Sequence, residues 1–307
     1  MLFIIQALFM KKYSFNTSPE LLLEDKWLKK ANKIENAFTN IRNQLCKAFQ
    51  KLEDEFNLKK ETKTNKFKKI IWERDPNKNE FGGGVSSILK GNLFEKVGIN
   101  ISTVSGVFPE DFKHMIKGAK NDPRFFATGI SVVAHMVSPF IPAAHFNSRF
   151  IMTKDAWFGG GCDLTPTYYQ NNVKNQFHKS LKIFCDKYDK NIYSKYSKWC
   201  SEYFYLKHRR EERGIGGIFF DYLDAKNDKN FDFTLESGDV FCKACCNFIK
   251  KYQRKPWKQK HREQLFKKRS KYVEFNLLYD KGTTFGLKTN GNVDAILMSM
   301  PPIAHWN

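Results

Sequence analysis

The sequence predicts an α+β domain whose sheet is antiparallel. The chain has 307 residues, of which 41% are hydrophobic, and this is enough for a sizeable core. One long segment repeats apolar residues at helical spacing, and several short runs of β type joined by tight turns follow it. Short strands joined by tight turns are typical of antiparallel sheets rather than of βαβ units. Because we find no internal repeat and no break in composition, we expect residues 1–16 to be an N-terminal extension and residues 17–307 to form one domain.

The first predicted element is an amphipathic helix over residues 17–57. A capping signal, TSPE, opens it at Thr17, with a proline in the first turn. Apolar residues then recur every three or four positions from Leu23 to Phe56, which favours a helix that covers a sheet. Shorter helices are predicted later in the chain, at residues 109–118, 171–188, 193–206, 238–252 and 255–271.

Strands are predicted where short runs of β-branched and aromatic residues lie between glycine, proline or polar turns. Outside the central stretch, which is described next, these runs are residues 67–74, 85–89, 93–97, 99–104, 215–223, 272–279 and 295–300. Asn290-Gly291 is predicted to be a hairpin turn before the last strand.

Residues 126–166 contain three strand-like runs, which are broken by prolines and by a triplet of glycines at 159–161. Residues two apart in a strand share one face of the sheet. If the three runs pair as a meander, one face therefore carries a polar set, while Phe146 and Phe150 point the other way. The set is Ser131, His135, His145, Asn147, Arg149 and Asp163. Such groups can transfer protons and bind carboxylates, although a half-exposed sheet with two histidines on its polar side would give the same pattern.

The net charge of +20 favours a polyanionic partner, either nucleic acid, a membrane surface or a small substrate with several carboxylates. A compositional bias of the coding sequence that enriches the protein in lysine would also produce much of this charge, without a function behind it. Residues 255–271 most resemble a nucleic-acid patch, but aromatic residues are not interleaved with the charges, so a solvated helix is favoured. A basic nucleic-acid-binding protein stays an alternative. So does a metal-dependent hydrolase built on the histidines, for which the sequence has no HExxH spacing.

The seven cysteines are odd in number and form no paired CxxC blocks, which fits a reducing compartment. The apolar start, MLFIIQALFM, is too short to span a membrane and weak as a signal peptide, so we expect no integral membrane association. The glycine clusters at 82–84 and 214–217 match neither a dinucleotide nor a P-loop fingerprint, so we predict no nucleotide cofactor.

Six blocks of the sequence are distinctive, and together they extend from about Trp72 to Trp306. They are FGGGVS (81–86), FEKVGINIS (94–102), HFNSRF (145–150), WFGGGCDLTPTYY (157–169), RGIGGIFFDYLD (213–224) and YVEFNLLYDKGTTFGL (272–287). In type and order these blocks resemble the oxygen-dependent coproporphyrinogen III oxidase family. The run WFGGGCDLTP alone is close to diagnostic of it.

The resemblance implies a large, flat antiparallel sheet with helices on both faces, assembled as a homodimer. It implies the oxidative decarboxylation of two propionates of coproporphyrinogen III to vinyl groups in haem biosynthesis, with molecular oxygen as co-substrate and no organic cofactor such as flavin or haem. It implies no nucleic-acid partner. Members occur in the cytoplasm and in the mitochondrial intermembrane space. Because the N-terminus is not rich in Arg and Ser, we expect the cytoplasm.

The resemblance also implies roles for individual residues. His145 matches the position of a proton donor, and Asp163 that of an acid that holds or deprotonates a pyrrole N–H. Substrate contacts are implied for Ser131, Asn147, Ser148, Arg149, Asn290, Gly291 and Asn292. A divalent metal ion is proposed in some members but not in others, and its ligands match His135, His145, His178 and His208.

The chain departs from the family pattern at several positions. Ser148 stands where the family usually has Tyr, and Lys281 where it has Arg, which keeps the charge but loses the bidentate fork. Asn292 often corresponds to a basic residue. The chain ends at Asn307, before the usual C-terminal extension, and this leads us to expect a weaker dimer or an incomplete cleft wall.

Overall fold

A computed structural model describes residues 25–75, 81–288 and 290–306 of the protein. Within these ranges the centre of the fold is a seven-stranded sheet in which every neighbouring pair is antiparallel. The strand order is β1-β2-β3-β4-β5-β6-β9, so the sheet is a meander up to β6. The predicted α+β class and the predicted pairing of the three central runs are both confirmed.

The strands of the sheet are short at its edges and long at its centre. They are β1 (Lys68–Glu73), β2 (Phe81–Leu89), β3 (Phe94–Val107), β4 (Arg124–Met136), β5 (Ala143–Met152), β6 (Ala156–Thr165) and β9 (Gly217–Asp224). A separate two-stranded hairpin is formed by β7 (Tyr205–Leu206) and β8 (Glu211–Glu212). The two runs predicted at 93–97 and 99–104 are one continuous strand, β3.

The helices lie before, between and after these strands. They are α1 (Asp25–Leu58), α2 (Glu110–Lys113), α3 (Asn171–Asp186), α4 (Ile192–Tyr203), α5 (Asp228–Tyr252), α6 (Gln259–Leu278), α7 (Lys281–Lys288) and α8 (Val293–Ile296), with a 3-10 turn at Leu297–Ser299. The predicted first helix is confirmed over its described part, while its predicted start at Thr17 lies outside the described residues.

One face of the sheet is covered by α1 and α5. The apolar stripe of α1, from Ala31 to Phe56, is buried there against β3 and β4. The neighbouring helix α5 packs against β5 and β6. Gly238 brings α5 close to the sheet, because a Cβ at this position would lie 3.0 Å from Ile41 and 3.3 Å from Phe146. This face is therefore largely buried and apolar, and the predicted polar row lies on the opposite face.

The opposite face is partly covered by α6 and by the segment that follows it. Tyr272 of α6 stacks on His145 with ring centroids 4.8 Å apart. Met298 of the 3-10 turn lies over Gly98, where an added Cβ would be only 1.6 Å from its sulfur. Helices thus lie on both faces of the sheet, as the resemblance implied.

Two predicted strands near the C-terminus are wrong. Residues 272–279 are mostly the end of α6, and residues 295–300 form the end of α8 and the 3-10 turn. Asn290-Gly291 is correspondingly not a hairpin turn but part of the connection between α7 and α8. The apolar and aromatic composition of 272–279 favoured a strand, whereas its buried side chains (Tyr272, Phe275 and Asn276) continue the helical spacing that begins at Leu265.

Candidate active site

The polar face of the sheet is built by the pairing of β4, β5 and β6. Ser131 of β4 is the register partner of Asn147, and Val133 is the partner of His145. His145 is in turn opposite Asp163 on β6. The predicted polar row therefore exists, and it places the two proposed catalytic residues side by side.

Asp163 is buried and is bound by a cation that we did not single out in the sequence. Arg213 Nη2 donates to both carboxylate oxygens, at 2.7 and 2.6 Å, and the two side chains are 3% and 2% exposed. Burial alone would raise the pKa of Asp163, but the charge of Arg213 and the nearby imidazole of His145 outweigh it, so the pKa lies below its usual value. Asp163 is therefore a carboxylate at neutral pH.

The Arg213 guanidinium lies in an aromatic cage. It is 3.9 Å from the ring centroid of Phe204, 4.7 Å from Phe275 and 5.1 Å from Tyr272. Cation–π attraction is strongest where water is excluded, as it is here. Burial lowers the pKa of Arg213, but the Asp163 carboxylate more than offsets this and raises it. The cage and the carboxylate together hold one charged pair at a fixed place behind His145.

His145 lies between Asp163 and the ring of Tyr272. Its Nδ1 is 3.4 Å from Asp163 Oδ1, which is long for a hydrogen bond but close enough for a strong electrostatic interaction. Burial lowers the pKa of His145, and the Asp163 carboxylate offsets this only in part. The imidazole is thus neutral at pH 7. Its Nε2 is buried and has no hydrogen-bond partner among the described residues, so a polar group of a substrate that reached it would satisfy it.

Arg149 lies farther along the same face. Its Nη2 donates to Asp221 Oδ2 at 2.6 Å, and its Nη1 donates to Asn147 Oδ1 at 3.2 Å. The guanidinium is about 30% exposed and keeps further N–H donors for a ligand. Ser131 is exposed although it lies in the fourth strand of a seven-stranded sheet, so this part of the polar face is open to solvent.

Ser148 is not part of this face. It alternates with Asn147 and Arg149, so it points to the face that α1 and α5 cover. There it is buried, and its Oγ has no hydrogen-bond partner among the described residues. A Cβ at Gly160 would lie 3.0 Å from that Oγ. The expected substrate contact of Ser148 is therefore wrong as a side-chain contact, because a run of three neighbouring strand residues cannot share one face.

The loop with Asn290, Gly291 and Asn292 is joined to the sheet indirectly. Asn292 Oδ1 accepts from Ala295 N at 2.8 Å and so caps α8. The carbonyl of Ala295 accepts from Asn100 Nδ2 of β3 at 2.6 Å. Since Asn100 is the register partner of Ser131, this contact brings α8 to the same part of the polar face.

Three of the four histidines expected to bind a metal, His135, His178 and His208, are engaged in other hydrogen bonds. His178 Nδ1 accepts from Tyr193 and its Nε2 donates to the carbonyl of Ile215, at 2.8 and 2.7 Å. The His208 nitrogens are bound to Glu274 and Tyr279 in the same way, and His135 Nε2 donates to the carbonyl of Ser299. Among the residues that the structure describes, no three His, Cys, Asp or Glu side chains form a metal-binding group. These residues therefore do not fit the metal that the resemblance suggested.

Three residues of the site were missed in the sequence, namely Arg213, Asp221 and Tyr272. All three lie in blocks that carry the resemblance, Arg213 and Asp221 in RGIGGIFFDYLD and Tyr272 at the start of YVEFNLLYDKGTTFGL. Their partners lie on distant strands, and Tyr272 was assigned to a strand that does not exist. A buried ion pair between distant segments leaves no periodic pattern, so only the blocks themselves pointed to these residues.

The basic helix α6 points several of its cations into the fold. Arg262 and Arg269 both donate to Glu95, at 2.6 Å each, and Lys271 pairs with Glu211 at 2.7 Å. These three cations are engaged within the fold and are not free to bind phosphates, which weakens the case for a nucleic-acid surface here. Within the described ranges, no helix is both long and apolar enough to cross a membrane.

Comparison with known proteins shows which family the chain belongs to. Residues 33–307 match the family model described as coproporphyrinogen III oxidase. The oxygen-dependent coproporphyrinogen-III oxidase of Rickettsia akari (strain Hartford) is 50% identical over 273 residues, which cover 89% of this chain and 96% of that protein. The enzyme of the same name from Rickettsia bellii (strain OSU 85-389) is 51% identical over 270 residues, which cover 88% of this chain and 95% of that protein. The chain belongs to the coproporphyrinogen III oxidase family.

Proposed function

We propose that this protein is the oxygen-dependent oxidase that converts coproporphyrinogen III to protoporphyrinogen IX in haem biosynthesis. In each of two rounds, a propionate, one oxygen molecule and one proton give a vinyl group, carbon dioxide and hydrogen peroxide. The observation that carries the proposal is one sheet face with the His145–Asp163 pair and the half-exposed Arg149, in a chain of this family. A basic protein also suits a substrate with four carboxylates.

Arg149 binds a substrate carboxylate and His145 transfers the proton in this proposal. An Arg fork suits a carboxylate, and the Arg149 side chain is about 30% exposed. The neutral His145 has a free Nε2 and can accept or donate a proton there. Further substrate contacts in this proposal come from Ser131 and Asn147 on the polar face of the sheet. The loop at 290–292 contacts the substrate from the side away from the sheet.

Asp163 acts through His145 rather than by contact with the substrate. It is 2% exposed, and its two oxygens are already bound by Arg213. A buried carboxylate beside Nδ1 stabilises the charge that His145 acquires when it takes a proton at Nε2. This role differs from the direct pyrrole contact that the resemblance implied.

No metal and no organic cofactor take part in the proposed reaction. The support for the first point is the engagement of His178 and His208 in other hydrogen bonds. The support for the second is that neither glycine cluster has a nucleotide fingerprint. Activity that survives extensive chelation, in protein without bound metal by elemental analysis, would agree with this. Loss of activity that added metal restores would contradict it.

The active form is a homodimer in this proposal, and its compartment is the cytoplasm. The C-terminal segment exposes apolar side chains that a partner would cover, namely Leu277, Leu278, Leu287, Val293, Ile303 and Trp306. Leu278→Glu should shift sedimentation towards monomer, while Ile183→Glu, at an equally exposed position on α3, should not. The seven cysteines are all free thiols, which suits a reducing compartment, and cell fractionation would test that point.

The experiment for the whole proposal is turnover of coproporphyrinogen III in air and under nitrogen. Products are oxidised to porphyrins and separated by chromatography. Protoporphyrin in air alone would agree with the proposal. No product in either condition, with folded protein, would contradict it and would return attention to the nucleic-acid alternative.

A further inference from the structure

Asp221 of β9 lies beside Arg149, and nothing in the sequence blocks or their implied roles assigns it a task. Its Oδ2 accepts from Arg149 Nη2 at 2.6 Å, and its Oδ1 accepts from the backbone N–H of Tyr222 at 3.0 Å. Both oxygens are thus bound, and the carboxylate has one orientation. The pair is partly accessible, in contrast to the buried pair of Asp163 and Arg213.

The backbone at this place is shaped to aim the carboxylate. Pairing of β6 and β9 shifts register between Phe158 and Gly160, next to Asp221. Tyr222 has a φ of +57°, a left-handed conformation that is uncommon for a bulky residue. It stacks on Trp157 with ring centroids 5.4 Å apart. Irregularities of this kind re-aim side chains, and they persist where the surroundings enforce them.

Gly159 of β6 provides the space for the pair. A Cβ there would be 2.4 Å from Asp221 Oδ1 and 2.9 Å from Arg149 Nη2. The ion pair therefore lies directly over this glycine. Three separate features, the ion pair, the left-handed Tyr222 and the absent side chain at 159, hold Arg149 in one position.

We propose that Asp221 is a positioning residue that fixes the Arg149 guanidinium for a substrate carboxylate. Arg149 uses Nη2 for Asp221 and Nη1 for Asn147, and it has further N–H donors that a substrate carboxylate can bind. A fixed fork loses less conformational entropy when a carboxylate binds than a free one does. The inference rests on the proposed function, because it needs a substrate with carboxylates.

The test measures binding of coproporphyrin III, a stable porphyrin with four carboxylates, by quenching of tryptophan fluorescence, together with KM and kcat. Asp221→Ala should raise Kd and KM about tenfold and change kcat less, because an arginine that is no longer held binds the carboxylate more weakly. Gly159→Ala should do the same, since its Cβ displaces the pair without removing a charge. Asp224→Asn, an exposed acid on the same strand, is the matched control and should leave both constants unchanged.

A double-mutant cycle separates positioning from general structure. In an Arg149→Ala background, Asp221→Ala should have no further effect on Kd, because its partner is gone. The inference would be overturned if the two substitutions raised Kd independently, so that their fold-changes multiply, or if Asp221→Ala bound coproporphyrin III as tightly as the wild type. If Asp221→Ala fails to fold, Gly159→Ala takes its place in the cycle. A wild-type protein that binds coproporphyrin without turnover refutes the proposed reaction while the cycle still decides the role of Asp221. No binding at all refutes both.

Discussion

A single nitrogen of Arg213 donates to both carboxylate oxygens of Asp163, and the pair lies behind the proposed proton-transfer residue His145. Arg213 enters the site from the loop before β9, and Asp163 from the end of β6. The position of His145 therefore depends on a contact between two segments 50 residues apart in the chain.

Arg213→Met should destabilise the protein strongly, because it leaves the Asp163 carboxylate buried without a partner. Loss of one member of a buried ion pair costs about 3–5 kcal/mol in the free energy of unfolding. Urea denaturation would measure it. Arg209→Met is a suitable control, since Arg209 pairs with Glu274 at a more exposed place, where solvent screens the pair, and its loss should cost much less. If both variants lost the same free energy of unfolding, the buried Asp163–Arg213 pair would contribute no more to stability than an exposed pair does.

Ser131→Leu should abolish turnover while the fold persists. Ser131 is exposed in the middle of the polar face, so a larger side chain covers the proposed substrate surface without disturbing the core. Ser131→Ala removes the hydroxyl but not the space, and it should keep most of the activity. Thermal unfolding temperatures of both variants should stay close to that of the wild type. If Ser131→Leu is fully active, the substrate does not bind over this part of the sheet.

The stability of the C-terminal contacts should depend on pH through Glu274. Hydrogen bonds from Arg209, His208 and Trp306 lower the pKa of Glu274 to about 2, against 4.5 for the free side chain. A carboxylate with a lowered pKa contributes stability above its unfolded pKa and loses it as the pH falls towards the folded value. Glu274→Gln should therefore be less stable than the wild type at pH 7, and the difference should shrink from pH 4.5 towards pH 2. Glu263→Gln, an exposed position on the same helix, should show no such difference.

Glu95 should determine where α6 lies on the sheet. It accepts from Arg262 and Arg269, and Arg269 is 4% exposed. Glu95→Gln should lower the free energy of unfolding by roughly 3 kcal/mol and weaken the stacking of Tyr272 on His145. Hydrogen exchange should become faster in α6 but not in α1, which packs on the other face. Unchanged exchange in α6 would show that its apolar residues suffice to hold it.

Much of the fold was predictable, because its central elements obey simple periods. Alternation in β5 correctly separated His145, Asn147 and Arg149 from Phe146 and Phe150, and the helical stripe of α1 is buried as predicted. By the same alternation Ser148 lies on the side of Phe146 and Phe150, and only the family motif suggests a substrate contact for it. Strand-like composition failed at 272–279 and 295–300, where packing on the sheet selects helical turns.

The site could be predicted only in part. Residues on adjacent strands were brought together correctly, since pairing follows from the meander. Arg213, Asp221 and Tyr272 reach the site from elements with no regular relation to β5, and the histidines at 178 and 208 are bound by partners on distant helices and loops. Ion pairs and stacking contacts of this kind depend on tertiary positions that a single sequence does not encode as a period.

The most direct test of the central claim is the stoichiometry of oxygen and carbon dioxide during turnover of coproporphyrinogen III. The purified protein is supplied with substrate labelled in its propionate carboxyls, and oxygen uptake is recorded with an electrode. The proposal predicts two oxygen molecules consumed and two carbon dioxide molecules released for each protoporphyrinogen IX formed, with none released under nitrogen and little from His145→Ala. Release of carbon dioxide without oxygen uptake, or no release from folded wild-type protein, would contradict it.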